Sequence, residues 1–107
     1  MVWGQENDAY RQAADTLFSD GMEANAVVMV ANPPGFYLAS GNPAIAVPNG
    51  DLDTLLNVAK RYGAKFLILE AGSTPLGLMQ VYDHPAEQPG LKYLSDQGGL
   101  LIYVIQP

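Results

Sequence analysis

The chain has no cysteine, which excludes disulfides, thiolate metal sites and cysteine nucleophiles together. Histidine is reduced to His84, in a proline-bounded loop beside Asp83. A histidine base needs a nucleophile set against it, and none of Ser19, Ser40, Ser73 or Ser95 falls in a strand-to-helix elbow of the G-x-S-x-G type. No catalytic residue and no metal ligand set is therefore assigned. The glycine-rich phosphate loops G-x-G-x-x-G and G-x-x-x-x-G-K are missing as well, so neither a nucleotide nor any other cofactor is expected. Positive charge is scarce. Five Lys and Arg against eleven Asp and Glu leave a net charge of -6, which repels a polyanion and argues against nucleic acid as a partner. Long apolar runs are lacking too: no stretch approaches the roughly 20 residues that span a bilayer. The opening Met1-Val2-Trp3-Gly4-Gln5-Glu6 has neither the basic start nor the apolar core of a signal peptide, so the chain by itself is expected to be soluble.

What is present is apolar and short-ranged. Of 107 residues 49% are hydrophobic, and the 15% that are charged fall below the roughly 25% usual in globular domains. That is the length of one domain, 1–107, with one modest core. A surface so poor in charge points to a piece that touches something else.

Three apolar runs, Ala26–Val30, Ala44–Val47 and Phe66–Leu69, each end in polar punctuation: Asn32-Pro33-Pro34, Pro48-Asn49-Gly50-Asp51 and Glu70-Ala71-Gly72-Ser73-Thr74. Strands apolar on both faces belong in a parallel sheet covered by helices. Ahead of them, Tyr10, Ala13, Ala14, Leu17 and Phe18 recur at helical spacing and predict a helix from Asn7 to Asp20, stopped by Gly21. Residues 32–41 predict one or two helical turns. Leu52, Leu55, Leu56, Ala59 and Tyr62 predict a helix from Asp51 to Tyr62, with Asp51 and Asp53 at its start, Lys60 and Arg61 in its last turn and Gly63 as its stop. Ser73 or Thr74 is expected to cap a short helix with Pro75 at its first position, and Asp83–Gly90 reads as a loop. Leu91–Ser95 and Leu100–Ile105 flank Asp96-Gln97-Gly98-Gly99 as a hairpin. The fold class expected is α/β: a small three-layer α/β/α, Rossmann-like domain. Its mixed sheet of about five strands holds three parallel strands and a C-terminal antiparallel hairpin.

In such sheets ligands sit at the carboxyl ends of the strands. That end gathers Asn32, Tyr37, Asn49, Asp51, Asp53, Glu70, Ser73 and Thr74. From these the candidate ligand-binding set is Asn32, Tyr37, Asn49, Asp51, Glu70 and Ser73, a polar crevice for sugar hydroxyls with Phe36 or Tyr37 as a stacking platform. The competing reading makes Asn32, Asp51 and Ser73 or Thr74 helix caps and lets Tyr37 pack. Either way, three carboxylates without a base make this edge a poor phosphate site. Lys60, Arg61 and Lys65 are expected at the opposite end, complementing a helix dipole or facing anionic lipid headgroups.

The run Val28-Met29-Val30-Ala31-Asn32-Pro33-Pro34-Gly35-Phe36-Tyr37-Leu38-Ala39-Ser40-Gly41 is followed by Pro43–Asp51 and then Tyr62–Glu70. Together these resemble the soluble C-terminal domain of bacterial multi-spanning membrane proteins of the protein mannosyltransferase-like class. The closing hairpin fits as well. In that family the resemblance implies a lipid-phosphate-linked sugar donor and acidic catalytic residues in the membrane part, none of which maps onto this chain. It also implies an address on the extracytoplasmic face of the bacterial cell membrane. The expected role is a non-catalytic accessory domain of a membrane glycosyltransferase-like protein, with the transmembrane part of its own parent protein as partner and an acceptor or carbohydrate as a further contact. The alternative is a freestanding domain that binds a small, carbohydrate-like ligand at the strand tips.

Overall fold

A computed structural model describes residues 3–70, 72–97 and 99–106, and the side chains of these except at positions 3–7, 87 and 97. Helix α1 spans Trp3–Ser19, one turn more than its apolar stripe requires. Gln5 and Glu6 are good helix formers, and an acid near the N-terminus suits the dipole, so nothing in the lead-in stops the helix at Asn7. Tyr10, Ala13, Ala14 and Leu17 are buried, whereas Phe18 is 40% exposed. The helix closes with the Met22 N–H donating to the Leu17 carbonyl at 2.9 Å over Gly21, whose φ of 98° only glycine adopts readily.

Then follow β1 (Val27–Val30), α2 (Pro33–Ser40), β2 (Ala44–Ala46), α3 (Leu52–Tyr62) and β3 (Ala64–Glu70). Each lies within a few residues of its expected place. The segment after Glu70 differs. Thr74 does not cap a helix, since its hydroxyl donates back to the Glu70 carbonyl at 2.8 Å. Pro75 occupies the N-cap of a 3-10 turn at Leu76–Leu78, with no side-chain cap, and Ser73 contributes its backbone N–H to the Glu70 carbonyl. The short helix expected here forms as that 3-10 turn running into helix α4 (Met79–Asp83), and a further 3-10 turn, Pro85–Glu87, takes up part of what reads as loop. Strands β4 (Leu91–Gln97) and β5 (Leu100–Ile105) complete the fold, and of the hairpin turn between them Gly98 lies outside the described residues, as does Ala71.

The five strands form one mixed sheet in the order β2-β1-β3-β5-β4. Its β2-β1-β3 part is parallel, with Met29 opposite Ile45 and Leu67, and its β3-β5-β4 part is antiparallel, with Leu67 opposite Tyr103. Alternation along the strands makes two cores. On one face Val28, Val30, Phe66, Ile68, Leu100 and Ile102 pack with Tyr10, Leu17 and Phe36 from α1 and α2. On the other, Met29, Leu67, Leu69, Leu101 and Tyr103 pack with Leu55 and Ala59 of α3 and with Leu78 and Val81. β1 and β3 are thus buried on both sides, as their unbroken apolar runs require. β2 is not: Ala44 and Ile45 are half-buried and Ala46 is exposed, because the strand is short and lies at the sheet edge.

Asn42, a residue with no distinguishing pattern around it, is fully buried between α2 and β2. Its amide donates to the carbonyls of Glu23 at 2.9 Å and Ala26 at 3.0 Å, so it ties the α1–β1 connection to the α2–β2 connection.

Candidate functional site

Because β1, β2 and β3 are parallel, their carboxyl ends share one edge, and the connections that follow them bring Asn32, Asn49, Asp51, Glu70 and Ser73 to that edge. Tyr37 is in the second turn of α2 and is 57% exposed, so it does not pack into the core. The side chains at the tips have local work. Asn32 is the N-cap of α2 and accepts from the Gly35 N–H at 3.2 Å, which lets Pro33 and Pro34 occupy the first turn without an unmet donor. Asp51 is the N-cap of α3, accepting from the Thr54 N–H at 2.9 Å and the Thr54 hydroxyl at 3.0 Å. These two bonds, the backbone one first, hold its carboxyl below the usual carboxylate range.

Glu70 ends β3 half-buried, and its carboxylate accepts a short hydrogen bond from the Tyr10 hydroxyl of α1. The Tyr10 ring meets Phe36 edge-on at 5.6 Å, so α1, α2 and the tip of β3 are joined through one tyrosine. No local pattern announces that bond, which spans 60 positions. Asn49 and Ser73 are exposed. Over this edge comes the Leu76–Leu78 turn, so close that a Cβ on Gly77 would stand 2.4 Å from the Gly50 carbonyl oxygen.

The arrangement offers caps, a tyrosine–carboxylate link and a few exposed polar groups. Among the described residues, no three His, Cys, Asp or Glu side chains gather as metal ligands would, and no helix is long and apolar enough to cross a membrane. Of the bases expected at the other end of the sheet, Lys60 and Lys65 border a groove there.

The fold is thus a mixed α/β domain around a five-strand sheet, antiparallel at one edge. Compared with known proteins, the chain matches no family model, no curated protein and no solved structure.

Proposed function

We propose that this chain is a non-catalytic accessory domain of a membrane glycosyltransferase-like protein, a three-layer Rossmann-like module outside the cytoplasmic membrane that packs on its parent's membrane part or helps present an acceptor. The observation that carries the reading is the exposure of large apolar side chains. Leu76 is 87% exposed, Leu38 66% and Tyr37 57% on a chain of low charge. Leaving such surface in water is unfavourable by roughly 25 cal/mol per Å², and a packing partner would remove that penalty. The tip side chains support the same reading from the other side, because Asn32, Asp51 and Glu70 already serve α2, α3 and Tyr10.

The test is to read the coding DNA upstream of Met1. Several apolar spans of about 20 residues in the same frame are expected. A stop codon directly upstream would overturn the reading and turn attention to the exposed Tyr37, Asn49 and Ser73 at the strand tips as ligand contacts.

A further inference from the structure

The opposite end of the sheet, where β1 and β3 begin and β5 finishes, is concave. Two grooves meet there, of about 440 Å³ and 430 Å³, and share Gly63, Lys65 and Ile105. Their charges differ. The first, beside the α1–β1 connection, sets Glu23 against Lys65 and has no net preference for either sign. The second runs between α3 and the end of β5, is bordered by Lys60 and Lys65, and among the described residues has no acid in its lining. In a chain with eleven acids and five bases that is a local inversion of charge. Both lysines are exposed, and among the described residues neither forms an ion pair. Leu56, Ala59, Ala64 and Ile105 give the same groove its apolar wall. Its volume lies in the range of small-molecule sites, which are largely apolar with a few polar groups fixing orientation.

We propose that this second groove binds an anionic amphiphile, with an apolar body along Leu56, Ala64 and Ile105 and a carboxylate or phosphate head at Lys60 and Lys65. The carbonyl end of α3 faces the same region and disfavours an anion. One lysine offsets that field and the second supplies net attraction, so both are required. The inference goes beyond the accessory role, since it concerns the other end of the sheet and stands or falls without it.

The experiment is a titration of the isotopically labelled chain with decanoate or decyl phosphate below their aggregation concentrations, followed by amide NMR. Saturable shifts at Gly63, Lys65, Gly90 and Ile105 are expected, with decanol binding at least about tenfold more weakly. The Lys60→Gln/Lys65→Gln double variant should also lose at least about tenfold in affinity while keeping the dispersed spectrum of the folded chain. That dispersion separates lost binding from lost folding. The proposal is overturned if neither amphiphile saturates, if decanol binds equally well, if inorganic phosphate alone binds as tightly, or if the double variant binds unchanged. Binding confined to phosphatidylglycerol vesicles would overturn it too, since the ligand would then be a bilayer surface.

Discussion

Two side chains show how single groups tie this fold to pH. Tyr103 is fully buried on β5, and its hydroxyl donates to the Val81 carbonyl of α4 at 3.0 Å. Burial, and after it the neighbouring Tyr93 and Tyr82, push its ionisation well above the ordinary tyrosine value. In the unfolded chain the phenol ionises near pH 10, whereas in the folded chain it stays protonated, so above about pH 10 the folded state binds more protons and stability falls as pH rises. Tyr103→Phe should remove this alkaline loss and cost about 1 kcal/mol at neutral pH by leaving the Val81 carbonyl without its donor. Denaturant titrations at neutral pH and above pH 10 check both parts. Asp51 works with the opposite sign. Its carboxyl is held low by Thr54, so its contribution is complete above the unfolded value near 4 and is lost as pH falls through the lower folded value. Asp51→Asn keeps a capping oxygen but cannot titrate, so the gap in melting temperature between wild type and variant should close as the solution is acidified from about pH 5 towards pH 2.

At the scale of elements, the segment from Ser73 to Asp83 depends on a close approach of two backbones. A Cβ at Gly77 would meet the Gly50 carbonyl oxygen at 2.4 Å, the Gly50 carbonyl carbon at 2.8 Å and the Asp51 nitrogen at 3.3 Å. Backbone cannot rotate away as a side-chain tip can, so Gly77→Ala must push the Leu76–Leu78 turn off the β2–α3 connection. A loss of about 1–3 kcal/mol is expected. Amide shifts should concentrate at residues 49–51 and 76–79, and NMR of the variant with denaturant unfolding checks both. The same contact explains what the sequence could and could not reveal. α3 was legible almost to the residue because its signals are local: Asp51 before it, Lys60 and Arg61 in its last turn, Gly63 after it. The β1 and β3 runs were legible because burial on both faces leaves an unbroken apolar string. Ser73 and Thr74 resemble caps in isolation, yet the Ser73 N–H and the Thr74 hydroxyl both donate back to the Glu70 carbonyl, and the Leu76–Leu78 turn that follows is set against Gly50, distant in the chain. The strand-tip edge could be located from topology, but the Tyr10–Glu70 bond and the burial of Asn42 are long-range facts with no periodic trace. The placing of Lys60 and Lys65 at the far end was legible from α3 and β3, but the grooves beside them were not, since they join residues 21–27 and 63–66 to 104–105 and residues 56–65 to Gly90 and 105–106.

At the scale of the whole molecule, the question is whether two cores make two units or one. The cores touch different helices, yet each residue step from Phe66 to Leu69 along β3 passes from one to the other: Phe66 and Ile68 face α1 and α2, while Leu67 and Leu69 face α3. A strand cannot lose its place on one face and keep its register on the other, because its hydrogen bonds to β1 and β5 are common to both. The molecule should therefore unfold in one step, as most single domains of this size do. Leu67→Ala tests this. Leu67 is fully buried, and truncating it should cost about 2–5 kcal/mol, a large part of the roughly 5–15 kcal/mol that holds a domain together. The cavity opens in the α3-side core. If the cores are one unit, the denaturant midpoint read at Tyr10 on the far side must fall together with that read at Tyr103, with no separation between the two curves. A midpoint at Tyr10 that stays at its wild-type value while that at Tyr103 drops would show that the sheet transmits less than its shared hydrogen bonds require, and that α1 and α2 with their face of the sheet persist alone.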